Sequence, residues 1–327
     1  MIVIRTPTRC SLIGGGTDYP SWYSQHGGAI IGGAIRCYST FLVRPLPPVF
    51  PHKSRLAYSK VEEVSDHHQI EHRAVRACLE EMDWLDGPGL EICHFADLPA
   101  SCGVGSSSTF VVGLIHALGT LRKEYLSPAE LRERATRVER QRMEECVGDQ
   151  DQVLAAYGGF HRVDFRRKGE VILTPLLDEE GLADLERHLL MVYCHPRTGR
   201  ASQVAATYVD QLPTRTHPQW ALLRLVEDAT SAIQKRDWEK LGELIGQSWK
   251  LKQLLSPAVA PPEVQEVSMR GLAHGAWGGK LMGAGGGGCF LFLCDPSRRQ
   301  AILDHLPRGC IEIPLRFSPE GSRVISW

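Results

Sequence analysis

Pro99-Ala100-Ser101-Cys102-Gly103-Val104-Gly105-Ser106-Ser107-Ser108 is the stretch whose reading decides the fold. A short strand-like run, Leu90–Phe95, leads into it, and an apolar segment long enough for a buried helix, Thr109–Leu118, follows. Glycines let a backbone approach a ligand closely and take up positive φ. Serines at a helix start offer hydroxyls, while the unpaired amides and positive dipole end of the first turn attract phosphate. Strand, glycine loop, serine cap and helix therefore form an anion cradle; the alternative is an ordinary capped turn. Two glycines and four serines in ten residues favour the cradle. No Gly-x-x-x-x-Gly-Lys-Ser/Thr occurs, so it is not a Walker A loop. The third glycine of a Rossmann fingerprint is missing, and protein-kinase signatures are absent.

Upstream of this loop, strand-like runs rich in β-branched residues span Ile2–Ile13, Ala29–Ile35 and Tyr38–Pro45. Prolines 45, 47, 48 and 51 mark an exposed connection, and Ile70–Met82 has helical periodicity. Ser127-Pro128-Ala129-Glu130 signals a helix start, with the helix running to about Glu145. A charged loop at Asp178-Glu179-Glu180 opens the second half, followed by a strand at Leu189–Cys194. Helical patterns cover Ser202–Leu212, Trp220–Lys235, Trp238–Leu255 and Val264–His274. Two strand-like runs flank Gly283-Ala284-Gly285-Gly286-Gly287-Gly288, and a last helix (Arg298–Leu306) precedes strands at Cys310–Phe317 and Arg323–Ser326. Strands and helices mixed without strict βαβ alternation predict an α+β fold, with a boundary near 180 separating units 1–180 and 181–327.

The 327 residues suffice for one large or two mid-sized domains. A formal net charge of -1 excludes a basic field for nucleic acid or an anionic membrane surface. The densest basic cluster, Arg132 to Arg142, is interleaved with glutamates and reads as a solvated helix face. Ten cysteines without a C-x-x-C pair, several inside apolar runs, indicate free thiols in a reducing compartment. With no signal-peptide layout and no span-length apolar run, a cytoplasmic location is expected.

The Pro99–Ser108 stretch resembles the nucleotide-binding motif of the GHMP kinases, with Val104 and Thr109 where leucine and alanine are usual. Two further segments match in order. Arg5-Thr6-Pro7-Thr8-Arg9-Cys10-Ser11-Leu12-Ile13-Gly14-Gly15-Gly16-Thr17-Asp18-Tyr19 is similar to the substrate motif. Lys280-Leu281-Met282-Gly283-Ala284-Gly285-Gly286-Gly287-Gly288 is similar to the third motif, a glycine turn supporting the nucleotide loop. The resemblance implies a two-domain GHMP-kinase fold with the nucleotide between the domains, and ATP and Mg2+ as cofactors.

By that resemblance Ser101, Cys102, Gly103, Val104, Gly105, Ser106, Ser107 and Ser108 bind the nucleotide, and Ser107 and Glu139 hold the metal. Periodicity alone leaves Glu139 either inward-facing or an exposed partner of Arg142 or Arg132. Gly148-Asp149-Gln150-Asp151-Gln152 resembles the Gly-x-x-Asp-Gln element that supplies the catalytic carboxylate, here Asp151, with Asp149 the weaker candidate. Either aspartate could instead cap the following helix. Arg9, Gly15, Gly16, Thr17, Asp18, Tyr19, Gln150, Gly285 and Gly286 are implied to form the substrate site. Asp18 would accept sugar hydroxyls, or serve as a turn residue bonding its own backbone.

Galactokinases carry Glu-His where this chain has Gly15-Gly16, which argues against galactose. The Gly-Gly-Gly-Thr-Asp form, the Asp149–Gly159 stretch and Lys252 after Trp249 resemble the heptose-kinase branch. Its members phosphorylate C1 of D-glycero-D-manno-heptose 7-phosphate, giving a 1,7-bisphosphate for nucleotide-heptose and bacterial surface polysaccharide. His195, Arg197, Arg200 and Lys252 are the candidates for holding the 7-phosphate. The competing readings are a kinase for a free hexose (mannose, fucose or galactose) and a non-catalytic sugar and nucleotide sensor. A homodimer is compatible with the sequence.

Overall fold

In the computed structural model, which describes residues 1–195, 201–209 and 216–326, the chain builds two sheets. The strands are β1 (Ile2–Ile13), β2 (Gly28–Pro45), β3 (Ser54–Ala57), β4 (Val61–Val64), β5 (Leu90–Ala96), β6 (Phe160–Phe165) and β7 (Val171–Pro175). After them come β8 (Leu189–His195), β9 (Ala276–Leu281), β10 (Gly288–Cys294), β11 (Ile311–Ile313) and β12 (Arg323–Ser326). The helices include α1 (Pro20–His26), α2 (Arg73–Glu81), α3 (Ser106–Leu121), α4 (Pro128–Arg137) and α5 (Gln150–Tyr157). Further along lie α6 (Glu179–His188), α7 (Ala201–Val209), α8 (Thr216–Gln234), α9 (Trp238–Gln253) and α10 (Pro262–Ala273). This is the α+β architecture expected.

The first sheet runs β12-β1-β2-β5-β3-β4, with β6 on the other half of β2 and β7 beside it; the second runs β11-β8-β10-β9. The two expected strands at 29–35 and 38–45 are one strand, β2. Its register against β1 jumps where Pro7 opposes Tyr38 but Thr8 opposes Ile35, so the extra residues bulge out. β6 and β7 form a hairpin the pattern did not reveal, and β6 pairs with β2.

Strand alternation explains the second sheet's composition. Along β10, Cys289, Leu291 and Leu293 enter one core with α8 and α9, while Phe290, Phe292 and Cys294 enter another with Trp249, Val264 and Val267. Both faces are covered, so the strand reads as an unbroken apolar run. The first of these cores also contains Cys10, Leu12 and Ile35 of the first sheet, which joins the two halves. A third core lies under α2, α3 and α4.

Three local readings change. Asp178 caps α6, accepting from the Gly181 amide at 2.8 Å, so the expected charged loop is a helix start. The helix beginning after Ser127 stops at Arg137 and widens into a π turn over Val138–Arg142. The unit expected at 181–327 returns its last strand, because β12 covers the free edge of β1 at residues 3–5.

Candidate active site

The phosphate-type loop is built from backbone. Gly105, at φ +76°, is the N-cap of α3 and offers no side-chain cap, so the amides of the first turn stay open. The serine cap expected there is replaced by a left-handed glycine, which suits a helix end meant to receive an anion. Ser101 and Gly103 also have positive φ, at 69° and 82°. The glycine turn after β9 clasps this loop backbone to backbone. A Cβ on Gly283 would sit 2.9 Å from Gly103, one on Gly288 2.5 Å from the Cys102 carbonyl, and the Cys289 amide donates to that carbonyl at 2.8 Å.

Against the loop stands an ion pair. Arg9 on β1 donates from Nε and Nη2 to the two oxygens of Asp151 at 2.7 and 2.8 Å, and from Nη1 to the Gly103 carbonyl at 2.5 Å. The planar guanidinium thus fixes both the carboxylate and the loop. Asp151 lies in the first turn of α5 and keeps 23% of its side chain exposed. Asp149 is fully buried and saturated. It accepts from Tyr23 Oη at 2.6 Å and pairs with Arg140 at 3.2 Å, without capping α5. Of the two aspartates, only Asp151 faces the loop.

The substrate-motif residues divide into framework and lining. Thr17 Oγ1 bonds the Gly14 and Ala29 carbonyls, both at 2.9 Å. Asp18 is buried and accepts from the Gly16 amide at 2.9 Å and the Gln150 amide at 3.3 Å. Burial is the main cause raising its pKa, with the Asp151 charge adding to it. Its carboxylate therefore does the turn work named as the alternative. Beside Gly15 the polar atoms are different: Ser11 Oγ and Gln150 Oε1 are buried without a partner, and a Cβ on Gly15 would lie 3.7 and 3.8 Å from them. Tyr19 caps α1 and leans on the core of the second half.

Glu139 is fully buried, which removes the reading as an exposed partner of Arg142 or Arg132. It accepts from Ser108 Oγ at 2.9 Å and Gln152 Nε2 at 2.5 Å. Burial lifts its pKa to about 8, against the lowering effect of those two hydrogen bonds. Ser108, rather than the expected Ser107, is the serine that bonds Glu139 here. Successive helical residues turn about 100° apart, so with Ser108 facing the core, Ser107 faces solvent.

Other expected residues fall elsewhere. Lys252 Nζ donates to the Gly283 carbonyl, under the glycine turn. Gly285 and Gly286 pack on Val259, the Gly286 amide bonding its carbonyl at 3.0 Å. His195 ends β8 opposite Gly288. Arg197 and Arg200 lie outside the described residues. Sequence reasoning missed the bond of Ser108 to Glu139, and it missed Gln152 and Tyr23, whose partners are distant in the chain, the buried Ser11 hydroxyl, and Lys280, a buried lysine in β9. The one available signal was Lys280's position as a lone charge in Ala276–Met282.

A left-handed glycine loop at an uncapped helix end, facing an Arg–Asp pair, is phosphoryl-transfer architecture. Residues 70–159 match the GHMP kinases N terminal domain, and residues 229–312 match the GHMP kinases C terminal family. The chain belongs to the GHMP kinases. A D-glycero-alpha-D-manno-heptose 7-phosphate kinase of Campylobacter jejuni is 26% identical over 99% of this chain and 98% of its own length. A mevalonate kinase of Pyrococcus horikoshii is 28% identical over 82% of this chain and 76% of its own. In fold, a D-glycero-D-manno-heptose 1-phosphate kinase of Bacteroides thetaiotaomicron superposes with a TM-score of 0.81 at 21% identity, covering 100% of this chain and 99% of that one.

As a GHMP kinase the protein is an ATP-dependent phosphotransferase. No helix among the described residues is long and apolar enough to cross a membrane. The oxygens around Glu139 suit Mg2+: a buried carboxylate, the Ser108 hydroxyl, and Gln152 Oε1, which is buried without a partner.

Proposed function

We propose that this GHMP kinase transfers the γ-phosphoryl group of ATP to the anomeric C1 hydroxyl of D-glycero-D-manno-heptose 7-phosphate. The observation that carries the phosphoryl transfer is the Arg9–Asp151 pair beside the open amides of α3. The first-turn amides of Ser106, Ser107 and Ser108 would hold the phosphates of ATP. Asp151 would receive the acceptor hydroxyl's proton as its oxygen bonds to phosphorus, with Arg9 holding the carboxylate in line. Mg2+ would be held by Glu139 with Ser108, and supplies charge neutralisation to the phosphates.

For the acceptor, support comes from the full-length similarity to a heptose 7-phosphate kinase and from the Gly14–Gly16 loop. Gly15 and Gly16 leave room for a bulky acceptor, and the unpartnered Ser11 and Gln150 oxygens can meet sugar hydroxyls. The test is ADP release, in a coupled assay, over heptose 7-phosphate, free mannose, fucose and galactose, and mevalonate. Heptose 7-phosphate is expected to have the highest kcat/KM; an equal or higher value for any other acceptor overturns the assignment. Nucleotide binding without phosphoryl transfer to any of them would make the protein a sensor.

A further inference from the structure

A second cavity lies apart from the glycine loop, between the C-terminal end of α1, the turn joining β6 to β7, and α8. Its volume is about 800 Å³, and no residue placed above in the glycine loop, the ion pair or the metal site lines it. Pockets that take small ligands run to about 300–1,000 Å³. The turn carries three consecutive cations, Arg166, Arg167 and Lys168, and Arg224 of α8 adds a fourth. All four are exposed, and none makes an ion pair or side-chain hydrogen bond with a described residue. The backbone fixes the turn that presents them. The Arg166 amide donates to the Glu170 carbonyl at 2.8 Å and the Gly169 amide to the Arg166 carbonyl at 2.9 Å, with Gly169 at φ +85°.

The carboxylates of the cavity do not neutralise this group. Asp164, Glu170 and Glu227 line it. Arg162 occupies two of them, donating to Asp164 at 2.9–3.1 Å and to Glu227 at 2.6 and 2.7 Å. Glu170 alone is left against four cations. Like charges gathered in a concavity raise the local potential and draw in small anions. The chain as a whole, at a net charge of -1, offers no such field to a nucleic acid, so the attraction is confined to what the cavity can hold.

An aromatic wall stands beside the cations. Trp220 lines the same cavity and is 44% exposed, although it packs edge-to-face with Trp22 and His26 at centroid distances of 5.5 Å each. An indole held by two other rings and still open to solvent is a platform on which a flat ring can stack. Cations for phosphates and a platform for a base are the two parts of a nucleotide site.

We infer that this cavity is a second, non-catalytic nucleotide site. It takes a nucleoside diphosphate, with the base on Trp220 and the phosphates on Arg166, Arg167, Lys168 and Arg224. The inference does not rest on the identity of the acceptor.

The test is isothermal titration calorimetry with uridine diphosphate, pyrophosphate and uridine; the uracil base differs from that of the ATP used in catalysis. Wild type binds uridine diphosphate more tightly than pyrophosphate, and uridine most weakly. The triple variant Arg166→Ala, Arg167→Ala, Lys168→Ala loses about tenfold or more in affinity for uridine diphosphate. Its melting temperature, kcat and KM for ATP stay at wild-type values, because the exposed turn touches none of the catalytic groups. Trp220→Ala weakens uridine diphosphate about tenfold and leaves pyrophosphate unchanged. Should that variant fold poorly, Trp220→Phe keeps the aromatic packing, and the fluorescence change that uridine diphosphate causes in wild type is diminished in it. Unchanged affinity in the triple variant would put the nucleotide at the catalytic loop alone and overturn the inference. Absent binding by wild type, or pyrophosphate bound as tightly as uridine diphosphate, overturns it too. A polyglutamate peptide that competes equally would make the cavity a docking surface for an acidic protein and also overturn it. These binding measurements need no turnover, so their outcome is separate from that of the kinase assignment.

Discussion

Arg9 and Asp151, 142 positions apart in the chain, meet through two parallel hydrogen bonds of 2.7 and 2.8 Å. Asp149, two residues before Asp151, is instead locked to Tyr23 and Arg140. The pair of aspartates therefore separates catalysis from stability. Asp151→Asn is expected to lower kcat about 10²-fold or more with ATP binding and melting temperature little changed. Asp149→Asn is expected to cost about 1–3 kcal/mol of stability through its buried partners, with a smaller effect on turnover per folded molecule. Steady-state kinetics and thermal melting on both variants check this, and the reverse pattern would remove Asp151 from the mechanism.

The fork geometry of Arg9 predicts that lysine cannot replace it. Arg9→Lys keeps the charge but loses the bidentate grip on Asp151 and the bond to Gly103. We expect kcat to fall by about an order of magnitude or more, with KM for ATP also raised because the loop loses an anchor. Wild-type kinetics in this variant would show that charge alone suffices.

Gly105 is required by conformation and by space. Its φ is +76°, and an added Cβ would lie 3.1 Å from Asp151 Oδ2 and 3.2 Å from Arg9 Cγ. Left-handed backbone costs an L-residue about 1–2 kcal/mol. Gly105→Ala is thus expected to lower stability by that order and kcat/KM by more, since it also displaces the ion pair. Differential scanning fluorimetry with kinetics at saturating ATP separates the two effects.

Removing the Glu139 charge is expected to raise the Mg2+ concentration needed for half-maximal activity and to depress turnover while leaving the fold intact. Ser108→Ala, which strips a hydrogen bond from Glu139, is expected to weaken apparent metal affinity about 10–100-fold, whereas Ser107→Ala changes it less. Mg2+ titrations of Glu139→Gln, Ser108→Ala and Ser107→Ala give the answer directly. Curves that overlay wild type for the first two would place the metal elsewhere.

Two half-buried histidines predict acid lability. Burial lowers His94 and His116 to about 4, the charge of His72 adding to the effect at His94. Their folded values lie below the unfolded value of about 6.5, so the folded state binds fewer protons. Their contribution is fully present above about 6.5 and is lost as pH falls toward 4. The double variant His94→Gln, His116→Gln should show a flatter decline of stability over that interval, measured by denaturant unfolding at stepped pH.

The three glycine-bearing motifs were legible in the sequence because they are local. A glycine loop before an apolar helix carries its own chemistry wherever it is placed. The same holds for β1, found at Ile2–Ile13 as read, and for the both-faces-buried run of β10. The choice of serine was not legible. Three adjacent serines are equivalent in composition, and only the packing of α3 turns Ser108 inward to Glu139. Glu139 follows the buried Ala135 by four residues, so a helical count allowed its inward face, and only the packing chose it over the exposed alternative.

By itself the sequence determined the phosphate cradle and the α+β class, because motif spacing and hydrophobic period act over a few residues, while Asp151 as the candidate carboxylate came from the family resemblance. Only the tertiary structure decided that Asp18 and Asp149 hold the frame, that Arg9 grips Asp151, and that Glu139 is buried against Ser108 and Gln152. The reason is physical: a side chain's charge state and partners are set by burial and by groups far away in the chain, and these come together only when the two sheets close on a shared core.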